Sequence, residues 1–270
     1  MYAVHLTVGA KVYDVHLAAG KGRVEMTAST GTTAARMPVG SPGRRTALVA
    51  GVFYLITFLA SLPAVALIDP VLSNPDYIVS AGSDTRVIAG CLLDLVNAVA
   101  CVGTAVALFP VVRRQHEAAA LGFVTARVLE AAIIVVGVAS LLAVVTLRQQ
   151  FTATAGTDAP TLVAVGTSLV AVRDWTFLLG PGLVPAANAL LLGYLMYRSA
   201  LVPRIIPVLG LVGAPLLAAS AVATMFGLNE QASALSAVLT IPVAAWELSL
   251  GVWLVVKGFR PAPILAGPTA

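Results

Sequence analysis

ARVLEAAIIVVGVASLL, residues 126–142, sets a guanidinium and a carboxylate three residues apart and follows them with twelve residues that carry no charge. Extended to 119–146, the run still holds only that one pair of charges, Arg127 and Glu130. A hydrocarbon core about 30 Å thick is crossed by roughly 20 residues of helix. Five other stretches have the same character: 46–68, 86–109, 174–197, 205–226 and 233–256. Closed barrels, the other way to span a bilayer, need segments of about ten residues that alternate in polarity, and these runs do not alternate. The fold class is therefore all-α: a polytopic membrane protein with six transmembrane helices in a bundle.

Composition agrees. The 270 residues are 59% hydrophobic and 10% charged, with a mean hydropathy of +0.95, where a soluble domain carries roughly 25% charge. A net charge of +4 is not a nucleic-acid signature here, because the basic residues lie in short loops with no interleaved aromatic patch. They set an orientation instead. With the amino terminus cytoplasmic, Arg44, Arg45, Arg113, Arg114, Arg198, Arg204, Lys257 and Arg260 fall on the cytoplasmic side. Only Arg86, Arg148 and Arg173 fall opposite. The positive-inside rule then places both termini inside. Cys91 and Cys101 share one span and lie about 15 Å apart along it, too far for a disulfide, so buried free thiols are expected.

Residues 1–43 differ from the rest. YAVHLTV and KVYDVHL alternate as strands do, but two strands alone are marginal in water, and a poorly ordered tail is the favoured reading, with His5 and His16 in solvent rather than on a metal. No apolar core follows the first basic residues, so a signal peptide is not expected, and AVA at 64–66 is read as part of a retained helix. Residues 44–260 form the membrane domain and 261–270 a short tail. Loop 147–173 is expected outside, with Asp158 capping a short helix that has Pro160 in its first turn and lies on the membrane surface.

Several long motifs resemble a known family. NPDYIVSAGSDTRVIAG, ALFPVVRRQHEAAALGFVTARVLEAAII, RDWTFLLGPGLVPAANALLLGYLMYRSALVPR and AWELSLGVWLVVKGF are similar to the bacterial membrane family catalogued as domain of unknown function 4386, over about residues 44–260. The resemblance implies a multi-helix inner-membrane protein of bacteria. It implies no substrate, cofactor or catalytic residue.

The polar residues of the spans carry the functional reading. At about 1.5 Å per residue from each midpoint, Glu130 and Glu247 lie near 4 Å to the inner side, Arg127 about 8 Å inward, Asp94 about 5 Å outward, and Asn97 and Asn188 close to the centre. Mid-bilayer charges are costly and survive when they pair, face the bundle interior or line water. A common cluster of Asp94, Asn97, Arg127, Glu130, Asn188 and Glu247 is expected, with three carboxylates against one guanidinium. Protons, a cation, a basic ligand or water must then balance the acids. The competing reading makes Arg127 a bridge between Glu130 and Glu247 that only ties helices together. In the fourth span, Gly180, Pro181, Gly182 and Pro185 predict a helix break beside Asn188, a feature that lines binding sites in many transporters.

Catalytic signatures are scarce. No HExxH, Walker loop or dinucleotide fingerprint occurs, the spans hold no His, and Ser140 and Ser220 therefore have no base to activate them. Catalytic residues, metal ligands and cofactors are not expected. Trp175 suits an aromatic belt, Trp253 an anchor near a helix end, and Trp246 core packing. The sequence thus reads as a membrane protein that binds or transports a small solute, coupled to protons or cations through its buried polar residues. The alternative is a membrane sensor or assembly module that transports nothing. Its partners are the lipid bilayer and a small solute or cation, not nucleic acid; oligomerisation stays open.

Overall fold

The computed structural model describes residues 2–8, 11–17, 42–80, 84–153 and 158–265. The chain divides into two compact units, residues 1–35 and 36–270.

In the first unit β1 (Tyr2–Val8) and β2 (Lys11–Leu17) pair antiparallel from Tyr2 opposite Leu17 to Val8 opposite Lys11. The alternating segments thus take the hairpin, the other of the two readings the sequence allowed. The His5 and His16 side chains and residues 18–41 lie outside what is described.

The second unit is helical: α1 (Pro42–Ser73), α2 (Asp84–Val112), α3 (Glu117–Ala153), α4 (Ala159–Leu179), α5 (Val184–Ser199), α6 (Ile205–Met225) and α7 (Ala234–Val256). Six helical segments are long and apolar enough to cross a membrane, α4 and α5 together forming the fourth. Packing runs α1 on α2, α2 on α3, α3 on α4 and α5, α5 on α6, α6 on α7, and α7 back on α1, so the spans close a ring. Leu59, Leu62 and Val99 point outward, 73%, 70% and 67% exposed, where a soluble protein would carry charge; on a membrane span such a surface faces acyl chains.

The end of the ring that carries residues 42 and 256 is called proximal here, and the other end distal. At the proximal end the arginines terminate helices. Arg44 donates to the carbonyls of Leu254 and Val255 at 3.0 and 2.6 Å, which satisfies the orphan acceptors of the last turn of α7. At the distal end Asn74 turns the chain by accepting from the Asp76 amide at 3.0 Å. Arg148 pairs with Asp84, donates to the Ser80 carbonyl at 3.1 Å and stacks on the Tyr77 ring. Burial, and then the Asp84 carboxylate, raise the Tyr77 phenol above its ordinary range, so it remains a donor to Asp84 at 3.2 Å.

Two expectations change here. Residues 159–173 do not form a short surface helix, and the fourth span does not begin at 174. α4 starts after Asp158 and runs unbroken to Leu179 along α3, whose 37 residues extend about 55 Å, well beyond one hydrocarbon thickness. Part of that stretch has a protein partner, while Val165 and Val172 stay 43% and 41% exposed. Leu162, Leu169 and Val170 join the distal core, and Gly166 meets Ile78 so closely that a Cβ there would sit 2.1 Å from the Ile78 Cδ1. Asp158 precedes the helix as expected, but its carboxylate takes the Thr161 hydroxyl rather than a backbone amide.

Small residues set the other close contacts. A Cβ on Gly210 of α6 would fall 2.6 Å from the fully buried Trp246 indole of α7, and one on Gly213 would fall 2.8 Å from the Val243 nitrogen. Gly210→Val is therefore expected to lower the unfolding free energy in detergent by about 1–3 kcal/mol, the usual cost of overpacking. A thermal melt followed by tryptophan fluorescence checks this. An unchanged melt would show that the α6–α7 seam is looser than these distances require.

Candidate functional site: a charged layer between two apolar cores

The interior of the ring holds two apolar clusters. The proximal one includes Tyr54, Leu108, Phe123, Leu195, Met196 and Trp246. The distal one includes Ile68, Cys91, Ile134, Leu141 and Val145. Ionisable side chains sit between them.

Arg127 is the hub. Its spacing from Glu130 puts both on one face of α3, and that face looks inward: the two are 2% and 5% exposed. Nη1 donates to Glu130 Oε2 at 3.1 Å. Nη2 donates to the Tyr54 hydroxyl of α1 at 3.2 Å and pairs with Glu247 of α7. The guanidinium also lies over the Tyr54 ring, 5.2 Å from its centroid, an arrangement that favours the cation. Asn188 of α5, fully buried, donates from Nδ2 to the same Glu130 oxygen at 2.8 Å. One guanidinium thus draws α1, α3 and α7 together, and Glu130 adds α5.

The break in the fourth span places Asn188. α4 stops at Leu179 and α5 starts at Val184. Pro181 and Pro185 lack the N–H that a continuous helix would use. The Gly182 amide reaches back to the Phe177 carbonyl at 2.9 Å instead. Gly180 must be small, because its Cβ would fall 2.9 Å from Ile133 Cγ2 of α3. The predicted break residues Gly180, Pro181, Gly182 and Pro185 fall at this interruption, and Asn188 follows one turn later.

A cavity of about 140 Å³ adjoins the layer, with Thr57, Ser61, Asn97, Cys101, Arg127, Glu130, Glu247, Pro181 and Pro185 in its wall. Among the described residues, Arg127 Nε and Asn188 Oδ1 are buried polar atoms with no hydrogen-bond partner. One is a donor and the other an acceptor, so the layer keeps unused capacity of both kinds. No group of three or more His, Cys, Asp or Glu among the described residues could hold a metal ion. Two carboxylates against one guanidinium suit a proton or a single positive charge better than a multivalent ion.

The structure brings together five of the six expected residues: Arg127, Glu130, Asn188 and Glu247 by direct contact, and Asn97 in the cavity wall. Asp94 is elsewhere. It pairs with Arg173 of α4, whose Nη2 donates to Asp94 Oδ2 at 3.0 Å, both residues being 5% exposed. Two corrections follow. Arg173 is not an outer-loop cation but an interior residue, because α4 begins well before it. The charge balance of three carboxylates to one guanidinium becomes two separate sites, one at two to one and one neutral pair. Tyr54 escaped the sequence reading. Its signal was a tyrosine several residues inside the first span rather than at the interface where the aromatic belt lies.

Residues 49–258 match the family Domain of unknown function (DUF4386). The chain belongs to this family. The match includes every member of the charged layer, the Asp94–Arg173 pair and the break. No curated protein and no solved structure matches the chain. Membership of the DUF4386 family and six apolar spans describe a multi-pass membrane protein whose activity has to be argued from its interior.

Proposed function

We propose that this DUF4386 protein resides in the bacterial inner membrane, its proximal face cytoplasmic, and binds or moves a small solute coupled to protons or cations through the Arg127–Glu130–Glu247 layer. The basic residues at the proximal helix ends support the orientation. One observation carries the functional reading: an excess buried carboxylate beside a cavity of about 140 Å³, next to a broken helix. Ionisable groups inside a membrane domain usually serve a pathway, and here they are drawn from α1, α3 and α7. Arg127 would hold an anionic group or keep Glu130 and Glu247 apart in charge, while those two exchange a proton or cation.

A second reading has its own support. Arg127 ties α1, α3 and α7 together, as a lock in a sensor or assembly module would.

Flux measurements separate the two. In proteoliposomes under imposed proton or sodium gradients, Glu130→Gln with Glu247→Gln is expected to reduce flux by about tenfold or more, equivalent to some 1.4 kcal/mol of lost interaction, while the bundle stays folded. Absence of flux from the unaltered protein under every gradient would refute transport and favour the lock, whereas flux indifferent to the double substitution would refute coupling through this layer.

A further inference from the structure

Two further cavities lie distal to the charged layer, and adjacent cavities share walls. The outermost, about 460 Å³, lies between α1, α4 and the loop after α6 and is bordered by Asp69, Asp174, Phe177 and Gln231. The next, about 140 Å³, shares Phe177 and Gln231 with it and mixes apolar residues with the hydroxyls of Ser220, Thr224, Ser236 and Thr240. The third is the cavity of the charged layer, which shares Pro181 with the second. Toward the proximal end lies the apolar cluster that contains Phe123, Met196 and Trp246.

The balance of charge along this series is never positive: carboxylates outnumber guanidiniums in the first and last cavities. Asp69 and Asp174 stand at the mouth, and the one cation there, Arg173, is already paired with Asp94. The middle cavity has no charged lining residue. The last holds two carboxylates against one guanidinium. A low-dielectric passage lined by one sign of charge concentrates ions of the other sign.

We propose that the charged layer is reached from the distal face by a cation-selective passage that follows α4 to its break, with Phe177 and Pro181 at the junctions between cavities. The ligand is accordingly a proton or a small monovalent cation. This rests on reading the layer as a binding site, and it adds the side of entry and the sign of what enters.

Cysteine accessibility tests it on the full chain in sealed proteoliposomes. Ser61→Cys in the layer cavity and Ser220→Cys in the middle one are made in a Cys91→Ala, Cys101→Ser background. Asp76→Cys in the distal turn and Glu117→Cys at the proximal end report the two faces. Impermeant methanethiosulfonates carrying either a trimethylammonium or a sulfonate group are applied from one side at a time. Both passage cysteines are expected to react from the side that labels Asp76→Cys, the cationic reagent faster by about tenfold or more. Asp69→Asn with Asp174→Asn should bring the two rates together. Labelling from the Glu117→Cys side, labelling from neither side, or equal rates for the two reagents would overturn the passage. The flux assay fails independently: labelling as expected without flux removes transport and leaves the passage, whereas flux without labelling removes the passage alone.

Discussion

Arg127→Met is expected to destabilise the protein by about 3–5 kcal/mol, the typical cost of leaving buried charge without its counter-ion. Glu130 and Glu247 lose the guanidinium they share, and the Tyr54 hydroxyl loses its donor. Unfolding in detergent followed by tryptophan fluorescence measures the loss. Arg127→Lys should recover only part of it. An ammonium keeps the charge but lacks the planar fork that reaches α1, α3 and α7 at once. Full recovery by lysine would mean that charge alone matters and that the fork geometry contributes little.

Arg173→Met should cost a similar amount, about 3–5 kcal/mol, by leaving Asp94 buried and unpaired. The same substitution also strips a guanidinium from the Phe177 ring, 4.9 Å from its centroid. Adding Asp94→Asn to Arg173→Met removes the stranded charge and should restore most of the stability. The pair joins α2 to α4 across the ring interior, away from the cavity beside Arg127. Stability is therefore expected to fall with Arg173→Met alone and rise again in the double variant, while the behaviour of the charged layer persists. A double variant no more stable than Arg173→Met would show that Arg173 acts through packing rather than through Asp94.

The two arginines mark where sequence reasoning succeeded and where it stopped. Arg127, Glu130 and Glu247 were legible because each sits well inside an unmistakable apolar run, where a charge has few places to point. Arg173 was hidden by an arithmetic of length. A span of 174–197 already has the length one crossing needs, which leaves Arg173 in the loop before it. The actual helix begins at 159, where α3, 37 residues long, runs beside it. Asp94 and Asn97 are three residues apart on α2, and that spacing suggested a shared destination. Three residues turn a helix by about 300° and advance it about 4.5 Å. That offset is enough for Asp94 to reach α4 while Asn97 borders the central cavity. Spacing fixes which residues share a face, but the partner on the neighbouring helix is decided by packing. The glycines are a further case: only the fold names Trp246 and Val243 as what lies against Gly210 and Gly213.

The charged layer depends on Arg127 and Glu247, 120 positions apart in the chain, acting on each other. A double-mutant cycle with Arg127→Met and Glu247→Gln, read as unfolding free energies in detergent, measures that directly. Residues in one buried ion-pair network show couplings of roughly 0.5–3 kcal/mol, whereas separated sites add within about 0.5 kcal/mol. A coupling in the upper half of that range is expected, the double variant being more stable than the sum of the single losses allows. Strict additivity would mean that the two side chains do not meet, and the charged layer would dissolve into unrelated polar residues.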